Sequence, residues 1–128
     1  MMEIDRPDVK SEVEAAFALY ERALSQNDVV VLDELFRDDA RTIRYGIGEN
    51  LYGYAEIAAF RAARPSQGLS RSLERTVITT YGEDFATAMT LFRRTSGTIG
   101  RQSQTWVRFP EGWRVVAAHV SLIDEPGA

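Results

Sequence analysis

Apolar residues recur at steps of three and four between residues 8 and 26: Val9, Val13, Ala16, Phe17, Tyr20, Ala23 and Leu24. That spacing lays them along one face of a helix. Pro7 suits its first turn. Asn27 and Asp28 break the run, and Asp28 can cap a second, short helix over residues 29–36, whose apolar positions include Val31, Leu32, Leu35 and Phe36. Residues 41–47 read as a strand, the glycines at 46, 48 and 53 as a turn region, and residues 54–63 as a third helix halted before Pro65. Residues 65–68 are a loop. Beyond Gly68 the period falls to two, which predicts strands over 69–81, 84–95, 101–109 and 113–123. Gly82-Glu83, residues 97–100 and Pro110-Glu111-Gly112 separate them with hairpin-turn chemistry. Residues 125–128 read as a frayed tail.

Helix, helix, strand, helix and then four hairpin-linked strands make an α+β fold. The expected architecture is a cone, with three helices packed on a curved, mostly antiparallel sheet and a pocket at the open end. One domain is expected over 1–128, with its core in 8–123. In the last strand Trp113, Val115, Ala117, His119 and Ser121 alternate with Arg114, Val116, Ala118, Val120 and Leu122. A strand apolar on both faces is covered on both faces. The helices supply one cover, and a second copy of the chain is expected to supply the other, giving a homodimer through the sheet.

A formal charge of −4 over 128 residues argues against nucleic acid as a partner, since that binding rests on basic patches. No apolar run approaches the ~20 residues of a membrane-spanning helix. The N-terminus lacks the charged-then-apolar order of a signal peptide, so cytoplasm is the expected location. Without Cys there is no disulfide, thiolate chemistry or Cys-ligated zinc. His119 is the sole His, and no paired-ligand spacing accompanies it, so no metal is expected. All of the 15 basic residues except Lys10 are Arg. Arg position therefore says more than Arg abundance.

Arg is suited to planar, bidentate capture of carboxylates. Arg44 precedes a Gly46-x-Gly48 turn, and it reads either as a solvated strand residue or as part of a pocket. Ile57, Phe60, Arg61 and Arg64 fall at i, i+3, i+4 and i+7, which puts both arginines on the inward stripe of the third helix. Inward arginines need anions. Glu49 or Glu56 can supply them, making a structural network, or a small anionic substrate can. Tyr20 reads either as a core aromatic or as a phenol aimed into the cone. Gln102, Gln104 and Trp106 share a face of the fourth predicted strand, read either as solvated or as pocket-lining. His119 reads either as a satisfied core His or as a polar group of the site. No Ser-His-Asp constellation or glycosidase-type carboxylate pair is visible.

The strings IRYGIGENLYG, FRAARP, GRQSQTW and EGWRVVAAHVSL, in that order, resemble the AtzH-like family of s-triazine (cyanuric acid) and oxalurate catabolism. That family lies within the SnoaL-like, nuclear-transport-factor-2-like cones. The resemblance covers roughly residues 8–123. It implies a cofactor-free decarboxylase that converts 1,3-dicarboxyurea, or a related carboxylated ureide, to urea-1-carboxylate (allophanate). It also implies a catalytic pair made of a Tyr on the first helix and an Arg on the first strand, which here are Tyr20 in FALYERAL and Arg44 in TIRYG. Independently of the resemblance, the inward placement of Arg61 and Arg64 makes them candidates to hold the second carboxylate of such a substrate, with Gln104, His119 and Ser121 as candidates for orienting hydrogen bonds. Two other functions are compatible with a cone of this kind. One is a non-catalytic ligand-binding protein or accessory to an amidase of the same pathway. The other is a hydrolase or isomerase of the broader SnoaL-like type.

Overall fold

Pro7 opens α1 (Pro7–Gln26), and Asn27 closes it in the left-handed conformation, φ 51°. Its buried residues are those of the predicted stripe: Val9, Val13, Phe17, Tyr20, Ala23 and Leu24. The structure is a computed structural model and describes residues 1–94 and 97–125. Asp28 caps α2 (Val29–Leu35) by accepting from the Val31 N–H at 3.3 Å. Then follow β1 (Ile43–Tyr45), β2 (Asn50–Tyr52), α3 (Tyr54–Ala63), β3 (Ser72–Tyr81), β4 (Phe85–Arg93), β5 (Thr98–Phe109) and β6 (Gly112–Asp124). No helix among the described residues is long and apolar enough to cross a membrane.

The strands form one sheet in the order β2-β1-β6-β5-β4-β3. β1 runs parallel to β6, and the other neighbouring pairs are antiparallel. The helices cover one face, where Phe17, Leu32, Phe36, Ile57, Trp106 and Val115 form the centre of the core. The α+β cone expected from the hydrophobic pattern is the observed architecture. Besides β5, which begins at Thr98 inside the stretch read as a hairpin turn, three features depart from expectation. β2 lies inside the stretch read as a glycine turn, and it pairs with β1 through Ile43 and Tyr52, Arg44 and Leu51, and Tyr45 and Asn50. The β3 strand begins three residues late, at Ser72. Thr95, expected to end the neighbouring strand, and residues 126–128 of the expected tail lie outside the described residues.

The third departure is a β-bulge in β6. Thr105 pairs with Ala117 and Trp106 with Val115, so Val116 is the extra residue. One inserted residue reverses the inward–outward alternation beyond it. Trp113 and Val115 therefore face the helices together with Ala118 and Val120, while Ala117 and His119 are exposed on the outer face. The predicted single face running from Trp113 to Ser121 does not exist.

On β5 no such slip intervenes before Trp106. Gln102 and Gln104 point inward, 3% and 2% exposed, so the solvated reading of that face is wrong. Gly100 continues the inward row. A Cβ there would lie 2.1 Å from the Phe92 ring. Glycine thus lets Phe92, 1% exposed, fill the end of the core beneath the open end of the cone.

Candidate functional site

A cavity of about 240 Å³ opens between α1, the β1–β2 hairpin, the end of α3 and the near ends of β3, β4 and β5. Tyr20, Arg44, Arg64, Arg71, Arg94 and Gln102 line it, together with Leu24, Phe60 and Glu49. Tyr20 and Arg44, which are 24 residues apart in sequence, thus meet in one pocket. Tyr20 is 5% exposed and packs its ring against Phe36 at 6.3 Å. Among the described residues its hydroxyl has no hydrogen-bond partner, which leaves it free for a ligand.

Arg44 is held by the hairpin that carries it. Its Nη1 donates to Glu49 Oε1 at 2.9 Å, and Glu49 Oε2 accepts from the Gly48 N–H at 3.1 Å. The guanidinium lies 5.7 Å from the Phe60 ring centroid. Gly46 makes this packing possible, because a Cβ there would sit 1.7 Å from Glu49 Oε1 and 2.9 Å from Arg44 Nη1. The Gly46-x-Gly48 turn therefore shapes the Arg44–Glu49 pair by leaving room for it.

Arg71 is held equally firmly. It forms a two-pronged ion pair with Glu21, donates to Gln102 Oε1 at 2.9 Å and stacks 4.4 Å over the Phe92 ring. Arg94 lies 5.0 Å from the same ring and donates to the Leu69 carbonyl at 3.3 Å. Arg64 Nε and Nη2 are buried and unpartnered among the described residues. Burial, and then repulsion from Arg61, Arg44 and Arg94, lowers the pKa of Arg64, with Tyr20 acting the other way. Burial, and then repulsion from Arg71 and Arg44, lowers that of Arg94. These cations are strained by one another, and an anion in the cavity relieves them.

The remaining sequence candidates lie elsewhere. Arg61, 4% exposed, pairs with Asp33 at 2.5 Å and stacks 4.7 Å over Phe36, so it ties α3 to α2 and does not line the cavity. Gln104 Oε1 accepts from Trp106 Nε1 at 3.1 Å, deeper in the core. His119 and Ser121 lie on the outer face of the sheet, where the bulge at Val116 sends them. His119 sits edge-on to Tyr45 at 6.0 Å, and Ser121 accepts from Arg101 Nε at 3.2 Å. Arg71, Arg94, Glu49 and Gln102 are pocket residues that the sequence reading did not assign to ligand. Only the register across the β3–β4 hairpin, irregular between Glu74 and Val77, brings two of them together. Ser72 pairs with Arg93, so the hairpin around Gly82 places Arg71 beside Arg94 at the same end of the sheet.

Among the described residues no three His, Asp or Glu side chains group closely enough to hold a metal ion. The arrangement can bind a small anion through several guanidiniums and offer it one phenolic proton.

Comparison with known proteins places the chain in a family. The chain is similar in structure to a Pectobacterium atrosepticum protein of unknown function, at 64% identity and a TM-score of 0.93 over 94% of this chain and 95% of the other. It is similar also to a cystatin-like fold protein from Burkholderia xenovorans, at 47% identity and a TM-score of 0.94 over 98% and 100% of the two chains. A nuclear transport factor 2-like superfamily protein from Salmonella enterica shares 26% identity, with a TM-score of 0.74 over 94% and 95%. No curated protein matches the chain. The AtzH-like family profile matches residues 2–126, nearly the whole sequence, and the chain belongs to the AtzH-like family.

Proposed function

We propose that the protein is a cofactor-free lyase that decarboxylates 1,3-dicarboxyurea, or a closely related carboxylated ureide, to urea-1-carboxylate in cyanuric acid nitrogen catabolism. The observation that carries this reading is the convergence of Tyr20 and Arg44 in one small, Arg-lined cavity. The cavity is of a size for a small molecule, below the usual range of about 300–1,000 Å³ for drug-sized ligands.

The chemistry asks little of the protein. The bond between nitrogen and the departing carboxylate breaks, CO₂ leaves, and the electron pair stays on nitrogen, where the adjoining urea carbonyl spreads it. An electron-sink cofactor of the kind used for carbanions is not needed. Arg44, fixed by Glu49, stabilises the negative charge that grows on the carbonyl oxygen. Tyr20 O–H gives its proton to the nitrogen and is reprotonated from water. The apolar lining supplied by Leu24, Phe60 and Leu69 lowers the local dielectric and strengthens both effects.

The test is release of CO₂ from 1,3-dicarboxyurea by the purified protein, above the spontaneous rate and without added metal or cofactor. A rate equal to the blank would sink the proposal and leave a ligand-binding or amidase-accessory cone, which co-purification with an amidase would then support. We also expect Gly46→Ala to lower turnover about tenfold or more while shifting the unfolding midpoint by no more than about 3 °C. The added methyl displaces the flexible end of Glu49 and crowds the Arg44 guanidinium itself, so Arg44 loses its anchor. An unchanged rate in that variant would mean that Arg44 needs no fixing. His119→Ala is expected to leave turnover within about twofold, because its ring lies on the other side of the sheet; a larger loss would assign it a role the geometry does not.

The proposed homodimer uses that outer face. Val77, Phe85 and Met89 are exposed there at 56%, 42% and 48%. Sedimentation of the wild type beside Met89→Asp tests it, with a monomeric wild type the contrary result.

A further inference from the structure

The cavity's charges do not balance. Its four guanidiniums are those of Arg44, Arg64, Arg71 and Arg94. Glu49 neutralises Arg44, and Glu21 neutralises Arg71. Among the described residues no carboxylate pairs with Arg64 or Arg94, so two positive charges remain. Burial lowers the pKa of both, and nearby guanidiniums add to it: Arg61, Arg44 and Arg94 act on Arg64, and Arg71 and Arg44 on Arg94. Arg64 adds two buried N–H-bearing atoms with no acceptor among the described residues. Such donors are costly unless an acceptor arrives with the ligand.

Phe92 sets the position of one of the pair. It is buried against Gly100 and carries Arg71 and Arg94 over its ring, at 4.4 and 5.0 Å. Arg71 is committed to Glu21 and Gln102, whereas among the described residues Arg94 donates only to the Leu69 carbonyl. Arg94 reaches the pocket from the end of β4 and Arg64 from the end of α3, so they approach from different elements. Neither belongs to the Tyr20–Arg44 pair that the decarboxylation reading makes reactive.

Resting on that reading, we infer that Arg64 and Arg94 are specificity-determining residues whose two unpaired charges match the two carboxylates of the substrate, so that the pocket selects a dianion over a monoanion and releases its product when decarboxylation removes one charge. A dianionic substrate matches both unpaired cations. The monoanion left after CO₂ departs matches only one, and the repulsion between Arg64 and Arg94 returns. The same feature that binds the substrate therefore weakens the hold on the product, which keeps binding energy from accumulating on the ground state of the wrong species.

The experiment uses two stable probes of similar length, glutarate as the dianion and butyrate as the monoanion, titrated calorimetrically at matched ionic strength. Wild type is expected to bind glutarate at least about tenfold tighter than butyrate. Arg94→Gln is expected to bring that ratio to about twofold, whereas Arg22→Gln, which removes an exposed charge outside the pocket, leaves it unchanged. In turnover, Arg94→Gln is expected to raise KM at least about tenfold with kcat within about threefold, the pattern of lost binding rather than lost chemistry. Absence of a dianion preference in wild type, its persistence in Arg94→Gln, or its equal loss in Arg22→Gln would overturn the inference. Its failure is separable from failure of the decarboxylase reading. A protein that prefers glutarate but does not turn over 1,3-dicarboxyurea keeps the charge-reading pair and loses the reaction. One that turns over without any preference does the reverse.

Discussion

Replacing Tyr20 by Phe should lower decarboxylation of 1,3-dicarboxyurea by about 10²–10⁴-fold, the range a single well-placed proton donor contributes. Arg44→Ala should cost about 10²–10³-fold, the usual effect of deleting one donor to a developing oxyanion. The two losses arise differently. Tyr20→Phe keeps the ring on Phe36 and removes a hydroxyl that has no hydrogen-bond partner among the described residues, so no buried group there is orphaned. Its unfolding free energy should stay within about 0.5 kcal/mol of wild type. Arg44→Ala releases Glu49, whose side chain is 24% exposed, into an already cationic pocket, so the freed carboxylate finds other guanidiniums. Substrate affinity should fall as well, because Glu49 then competes with the substrate carboxylates for the same cations. Single-turnover rates and thermal unfolding on the same preparations separate these effects. Full turnover in both variants would remove Tyr20 and Arg44 from the mechanism, whatever else the pocket binds.

How much of this site was visible in the amino-acid sequence differs from residue to residue. The helical stripe from Val9 to Leu24 was plain, because burial against a sheet needs one apolar face and α1 has one. It placed Tyr20 inward but said nothing of what the ring would meet. Arg44 joined it through the family resemblance, not through spacing. β2 escaped notice because a three-residue strand after two glycines carries no alternation to read. The bulge at Val116 escaped for a related reason. In Val115-Val116-Ala117-Ala118 there is no polar residue to mark where inward and outward exchange, so the alternation was carried one residue too far. His119 and Ser121 were displaced to the wrong face by that slip alone. Arg71 and Arg94 were hidden by register, since only the pairing of Ser72 with Arg93 across the hairpin brings them side by side.

Arg61 shows a subtler limit. The i, i+4 relation to Ile57 correctly placed it inward, and the need of a buried cation for an anion was correctly inferred. The partner proved to be Asp33, on a different helix, rather than Glu49, Glu56 or a ligand. Helical spacing reports which face a side chain takes; it does not report which element that face meets.

The Arg61–Asp33 pair supports the second large effect. Asp33→Ala should destabilise the fold by about 3 kcal/mol, the lower end of the cost of breaking a buried ion pair by removing one partner. The lower end applies because the Asp33 side chain is 25% exposed while that of Arg61 is 4% exposed. Water already reaches the carboxylate in the wild type, which weakens the pair, although it does not reach the guanidinium left behind. The orphaned cation keeps only its stacking on Phe36 at 4.7 Å, and it sits close enough to Arg64 to depress the latter's pKa. At this chain length the unfolding midpoint should drop by roughly 10 °C. Removing both charges in Asp33→Ala/Arg61→Met should restore stability to within about 1 kcal/mol of wild type, because an apolar side chain of similar length fills the space without an unpaired charge. The double variant also decides whether Arg61 holds substrate. With Arg61 outside the cavity, KM should stay within about twofold of wild type, and the relief of Arg61–Arg64 repulsion should if anything steady Arg64. A KM raised tenfold in a double variant that unfolds normally would instead return Arg61 to the binding site and undo its assignment as the tie between α2 and α3.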